Sequence, residues 1–198
     1  MIACNGTAPM QAGSETTSGV EIAVKGTTMS GATASSAKVM LFSAHYLSGD
    51  TQWFADTVMP NDAGIFEFND LPPGDYNLYV FAYDTLAKGA AILGITVLSN
   101  NSDGTVRDSA RLSTLHTITG TATHEGKPDS QTQVYIVGSP FYARTDSQGG
   151  FSFQEVPFGA YTVVARLLVE RSGFFTDSIS VDFSKTNELT VNVILELK

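Results

Sequence analysis

The chain contains the same sentence twice. Gly64-Ile65-Phe66-Glu67-Phe68-Asn69-Asp70-Leu71-Pro72-Pro73-Gly74-Asp75-Tyr76 aligns without a gap on Gly149-Gly150-Phe151-Ser152-Phe153-Gln154-Glu155-Val156-Pro157-Phe158-Gly159-Ala160-Tyr161, and 149 − 64 = 85. A repeat this long is a whole folding unit written twice, which restricts the chain to two similar bodies in tandem. Upstream, Val24-Lys25-Gly26-Thr27 reads onto Ile118-Thr119-Gly120-Thr121 at an offset of 94 (118 − 24), and Val39-Met40-Leu41-Phe42 onto Val134-Tyr135-Ile136-Val137 at 95 (134 − 39). The first copy therefore carries about ten extra residues, which the alignment places between Ser43 and Asp62.

Each repeated feature has a mechanical reason. Asn61 and Asp146 stand three residues before Gly64 and Gly149, the chemistry of a hairpin turn in which an Asn or Asp side chain bonds local backbone and Gly accepts a positive φ. Phe66 with Phe68, and Phe151 with Phe153, alternate at a spacing of two and so share the buried face of a strand. Leu71-Pro72 and Val156-Pro157 end that strand, because proline cannot donate to a ladder. Gly74 and Gly159 then turn the chain into a strand that opens with Tyr76 or Tyr161. A tyrosine at such a corner buries its ring and satisfies its hydroxyl on nearby backbone.

Composition agrees with strands throughout. Charged residues make up 16 % of the chain, below the roughly 25 % of an average soluble domain. No segment keeps apolar residues at i, i+3, i+4 and i+7 for three turns, whereas period-two alternation recurs. An all-β fold is expected. Thr145-Asp146-x-x-Gly149-x-Phe151-x-Phe153-x-x-Val156-Pro157-x-Gly159-x-Tyr161 resembles the hallmark of the carboxypeptidase-regulatory-like family, and the first copy matches it with Pro60-Asn61 in place of Thr-Asp. The resemblance implies two tandem seven-stranded transthyretin-like antiparallel β-sandwiches, and an accessory, non-catalytic role of the kind such modules play at bacterial surfaces. The turn cluster Ser99–Gly104 reads as the last hairpin of the first module. The expected division is residues 1–17 as a tether, 18–113 as the first sandwich and 114–198 as the second.

The single cysteine, Cys4, follows Ala3 in Met1-Ile2-Ala3-Cys4-Asn5 and looks like the end of a bacterial lipobox. On that reading Cys4 is lipidated, and the Gly/Ser/Thr/Ala-rich stretch behind it tethers an exported surface protein. Membrane contact is then expected only through that anchor. The net charge of −9 and a pI of about 4.6 argue against nucleic acid as a partner. An envelope protein or a polysaccharide is expected instead.

Enzymatic chemistry is sought in the sequence and not found. Hydroxyisourate hydrolases resemble transthyretin and end in a Tyr-Arg-Gly-Ser tail, whereas this chain ends Ile194-Leu195-Glu196-Leu197-Lys198. Intradiol dioxygenases of similar fold need two Tyr and two His for iron. His45, His116 and His124 share no metal-ligand spacing, and the last two are expected to be solvated. The acid pairs Asp70/Asp75 and Asp50/Asp56 leave hydrolysis as a remote alternative, though the first pair flanks a tight turn where acids face solvent, and no Asp-x-Asp-x-Asp loop offers calcium its roughly six to eight oxygens. The Lys–Asn isopeptide bond of related collagen-adhesin modules is not expected either, since Thr119 replaces Lys25 in the second copy. No catalytic residue, metal ligand or cofactor is expected.

One stretch has the composition of a binding loop. Tyr46, Asp50, Gln52, Trp53 and Phe54 lie in the insertion of the first copy and join aromatic faces to polar groups, as sugar recognition requires. Phe141 and Tyr142 are expected at a similar place in the second copy. The plainer alternative puts one ring of each pair in the core, because a strand exposes alternate positions. Phe174-Phe175 is expected at a hairpin tip or strand start.

Overall fold

The computed structural model describes residues 20–27, 32–34, 36–47, 55–83, 88–98, 105–169, 173–186 and 188–198. Seven strands come from the first copy: β1 (Val20–Thr27), β2 (Lys38–Ser43), β3 (Ala55–Val58), β4 (Ile65–Leu71), β5 (Gly74–Tyr83), β6 (Lys88–Val97) and β7 (Thr105–Arg111). The second copy gives β8 (Leu115–His124), the two-residue β9 (Lys127–Pro128), β10 (Gln133–Ile136), β11 (Tyr142–Arg144), β12 (Gly150–Pro157), β13 (Ala160–Val169), β14 (Gly173–Asp182), a single 3₁₀ turn at Phe183–Lys185, and β15 (Thr190–Leu197). The all-β expectation holds.

The strands form two pairs of sheets with one plan. In the N-terminal half, β4-β1-β7 packs on β3-β2-β5-β6; in the C-terminal half, β12-β8-β15, with β9 beside β8, packs on β11-β10-β13-β14. The first core takes Ile22, Val24, Phe66 and Phe68 from one sheet and Leu41, Leu78, Val80 and Ile95 from the other. The second takes Ile118, Phe151, Phe153 and Leu195 against Val134, Ile136, Val163 and Leu167. The expected antiparallel order has one exception in each half: β7 runs parallel to β1, and β15 parallel to β8. The preceding strand, β6 or β14, lies in the opposite sheet, so the last strand crosses over instead of turning back as a hairpin.

The turn chemistry is as expected and nearly identical in both halves. Asn61 Oδ1 accepts from Ala63 and Ile65 N–H at 3.0 and 3.1 Å, and Asp146 Oδ1 accepts from Gln148 and Gly150 N–H at 2.8 Å each. Gly64 and Gly149 take φ of +71° and +73°. At the second corner the Tyr76 and Tyr161 hydroxyls each donate to the carbonyl four residues back, of Pro72 and Pro157, at 2.7 Å.

The structure revises the alignment of the first strand. Gly26 N–H donates to Gly64 O, and Ala122 N–H donates to Gly149 O, both at 2.9 Å, so Gly26 corresponds to Ala122 at an offset of 96 and not to Gly120. Gly120 takes the place of core residue Val24, opposite Phe151. A Cβ there would sit 2.6 Å from the Phe151 ring and 2.5 Å from Val193 O. The two glycines look alike in sequence and stand at different places. The pairs Val39↔Val58 and Val134↔Ala143 also place the insertion between Ser43 and Ala55, and align Phe141 with Asp56 rather than with Trp53-Phe54.

Removing a corner hydroxyl leaves a carbonyl without its partner, so Tyr161→Phe is expected to cost about 1 kcal/mol. Asp146→Ala, which loses two backbone bonds, is expected to cost about 1–2 kcal/mol. Urea unfolding followed by circular dichroism checks both as a lower midpoint at unchanged slope.

Candidate functional site

The outward face of the β3-β2-β5-β6 sheet is apolar where a sandwich of this kind is usually wet. Met40, Phe42, Tyr79, Phe81, Ala90 and Ile92 alternate with the core residues along β2, β5 and β6. They pack with Tyr46 and, from the C-terminal half, Leu115 and Phe141 into a third hydrophobic cluster. Tyr79 meets Phe141 edge-on with ring centroids 5.6 Å apart, and Phe42 meets Tyr46 at 5.1 Å. The two halves thus share a seam with its own small core.

Among the described residues, polar groups lock the seam at three places. Asn77 Nδ2 donates to Gly138 O at 2.9 Å, and Gly138 N–H donates to Tyr46 O at 2.8 Å, so one residue of the C-terminal half exchanges both its backbone groups with the N-terminal half. Gly138 has φ +67°, and a Cβ on it would lie 2.3 Å from Asn77 Nδ2 and 2.6 Å from Ala44 O; no other residue fits the approach. At the junction, Ser113 N–H donates to Ala90 O at 2.9 Å, and Ser113 Oγ both donates to Ala90 O and accepts from Phe158 N–H, at 3.0 Å each. Lys88 pairs with Glu155 at the rim. Glu155 sits at φ +64° in a bulge where β12 spends three steps against two of β8. β4 bulges at the equivalent place opposite Val20–Ile22.

Beside the seam is a cleft of about 440 Å³, lined from one half by Ala44, His45, Asn77, Ile92 and Gly94, and from the other by Val137 and Phe158–Thr162. Among the described residues no carboxylate lines it. Tyr161 is raised above the ordinary phenol value by burial first and by the neighbouring Tyr79 second, and its hydroxyl is already committed to Pro157 O, so it is no base at neutral pH. The lining offers hydrogen bonds and a shape, and no acid–base pair. Among the described residues no group of three or more His, Cys, Asp or Glu could hold a metal ion.

The structure distributes the sequence candidates unequally. Tyr46 and Phe141 meet in the seam, half-buried. Tyr142 goes the other way: it lies exposed on the outer face of β11, meets Tyr135 with rings tilted at 41° and centroids 5.3 Å apart, and accepts from Arg144 Nε at 2.7 Å. Cys4, Asp50, Gln52, Trp53 and Phe54 lie outside the described residues, as do the side chains of Asp56 and Asp70. Asp75 is exposed and accepts from Thr96 Oγ1 at 2.7 Å. The expectation of a solvated His116 is corrected: the ring is buried, with centroid distances of 4.2 Å to Phe183 and 5.9 Å to Phe158. It lies in β8 opposite the end of the β12 bulge, and its Nδ1 has no partner among the described residues. Gly138, Asn77 and Ser113, which build the seam, were invisible as sites because each is an ordinary turn or strand residue until a second body is placed against it.

No protein-family model matches the chain, and no curated protein matches it. Among solved structures it is similar to the Bacillus anthracis TIE protein, at 15 % identity and a TM-score of 0.38 over 91 % of this chain and 34 % of that one. It is also similar to a streptococcal ancillary pilin, at 12 % and 0.37 over 92 % and 63 %, and to the shaft pilin SpaA double mutant from Lactobacillus rhamnosus GG, at 10 % and 0.34 over 90 % and 98 %. The chain spans about a third of the first protein and less than two thirds of the second. Likeness at this level says nothing of activity or partner.

Gly138→Ala is expected to force the halves apart. The seam's share of stability is then lost, about 1–3 kcal/mol, and differential scanning calorimetry should show the unfolding endotherm broaden or split in two. Tyr161 gives a pH dependence of defined sign. Its folded value is raised, so the folded state holds the proton more tightly than the unfolded chain; the stability this contributes is present below about pH 10 and is lost as pH rises towards the folded value. Unfolding midpoints between about pH 8 and about pH 11 should fall with pH, and less steeply in Tyr161→Phe.

Proposed function

We propose that this chain is a non-catalytic structural module of a bacterial cell surface, in which two carboxypeptidase-regulatory-like sandwiches, residues 18–113 and 114–198, are held at a fixed angle and presented on an N-terminal tether attached at Cys4. The seam carries the reading. Two bodies joined only by a flexible linker would not spend an aromatic sheet face, a close glycine exchange and a serine clasp on each other. A fixed angle is of use to a spacer or a presenting arm.

On this reading the partner is another envelope protein. The polysaccharide alternative rested on Tyr46 with Asp50, Gln52, Trp53 and Phe54. Of these, the described Tyr46 packs on Phe42 in the seam, so no specific observation favours the alternative.

Small-angle X-ray scattering of the purified protein at low concentration tests the proposal. A single rigid two-lobed particle is expected for residues 20–198, with Gly138→Ala giving a broader distribution of lobe separations. Interdomain motion in the wild type equal to that of the variant would overturn it. The same protein passed over an array of plant and bacterial polysaccharides is expected to stay unbound.

A further inference from the structure

The seam covers the outer face of β3-β2-β5-β6 with the C-terminal half, and the repeat builds an equivalent face once more, on β11-β10-β13-β14. Among the described residues no strand packs across this second face, and Tyr142, Leu168 and Phe174 are exposed on it. The strand registers order it into rows. Arg144, Gln133, Arg166 and Thr176 stand opposite one another from β11 to β14. The row on one side is Tyr142, Tyr135, Val164 and Ser178, and on the other side Leu168 faces Phe174. Two strand spacings, about 10 Å, separate the stems of the two arginines. In the seam the place of Arg166 belongs to Phe81, so the second face carries charge where the first carries a ring.

Both guanidiniums are positioned by neutral groups. Arg144 Nε donates to Tyr142 Oη at 2.7 Å and Nη1 donates to Gln131 Oε1 at 3.2 Å. The Arg166 guanidinium lies 3.7 Å over the Phe174 ring. Among the described residues neither arginine meets a carboxylate, whereas Lys88 and Lys185 pair with Glu155 and Asp182. The outward positions of β10, β11 and β13 and the outward run Phe174–Ser180 of β14 carry no Asp or Glu, in a chain of net charge −9. A guanidinium has five N–H donors in a planar fork that fits carboxylate oxygens two at a time. Here two such forks are held in place with their charge uncompensated, beside an apolar pair.

We infer that the outer face of β11-β10-β13-β14 docks an acidic segment of a partner protein. Two of its carboxylates, about 10 Å apart, meet Arg144 and Arg166, and an apolar side chain between or beside them packs on Leu168 and Phe174. A sugar acid fits less well, because Arg166 already occupies one face of Phe174 and Tyr142 leans on Tyr135 with its hydroxyl committed to Arg144; the rings a sugar would stack on are engaged. A second copy fits less well too, since two chains of charge −9 repel as whole bodies, whereas an acidic segment can belong to a partner of any net charge. The inference rests on the reading of this chain as a surface module that binds a protein. Failure of that reading shows as lobe motion in scattering, and failure of this one as absent binding with the lobes still fixed.

Fluorescence anisotropy provides the test, with a labelled peptide of alternating Glu and Ser around one central Leu titrated with the whole chain. Saturable binding is expected at low salt, weakening as salt is raised. Arg144→Gln and Arg166→Gln are each expected to weaken it about fivefold or more, as is Gln for Glu throughout the peptide. Lys127→Gln, which removes an exposed charge from β9 in the same half, is expected to leave it unchanged. Absence of binding up to about 1 mM at low salt overturns the inference, and so does an equal loss in Lys127→Gln. A polygalacturonate fragment that binds more tightly than the peptide with the same arginine dependence overturns it in favour of a glycan. Self-association in sedimentation velocity that Arg166→Gln abolishes overturns it in favour of a second copy.

Discussion

A β-sheet that is apolar on both faces cannot be left half in water, and this constraint organises the molecule. The β3-β2-β5-β6 sheet buries Val39, Leu41, Leu78 and Val80 on one side and presents Phe42, Tyr79, Phe81 and Ala90 on the other. The first side makes a sandwich; the second requires another body. Removing so much aromatic surface from water supplies the attraction, and the hydrogen bonds of Gly138, Asn77 and Ser113 select one orientation from the many that attraction alone would permit. The rim ion pair between Lys88 and Glu155, with side chains 46 % and 39 % exposed, adds direction more than energy.

The fold was largely legible in the sequence because its determinants are local. Asn61 and Asp146 bond backbone within four residues, the tyrosines reach four residues back, and the paired phenylalanines declare their face by spacing alone. What misled was the one feature whose meaning is set at long range. Gly26 and Gly120 sit in look-alike surroundings, but Gly120 exists to let Val193 and Phe151 close over β8, and no local signal separates that from a strand-end glycine. The parallel closing strands were unreadable for a similar reason, since direction depends on which sheet the preceding strand has joined.

The site was less legible than the fold. Sequence reasoning chose Tyr46, Phe141 and Tyr142 for their rings, and rings alone do not reveal whether they face a core, a seam or solvent. The structure sends Phe141 and Tyr142, adjacent in the chain, to opposite sides of β11, as alternation demands. His116 was misjudged because its position near a strand end suggested water, whereas the bulge of β12 and the 3₁₀ turn at Phe183 fold apolar rings over it. Gly138 could not have been singled out at all: its importance lies in the 2.3 Å separating an absent Cβ from Asn77.

The parallel pairing of first and last strands has a mechanical meaning. In each half the incoming chain feeds one end of β1 or β8, and the outgoing chain leaves from the far end of its neighbour, β7 or β15, after pairing from Glu21–Thr105 to Thr27–Arg111 or from Thr117–Thr190 to His124–Leu197. Tension applied through the chain ends therefore pulls these neighbours along their length in opposite directions. The ladder is loaded in shear, with its hydrogen bonds sharing the force together instead of failing one after another as they would in a peeled hairpin. A body strung between an anchor and a load yields last at such a joint.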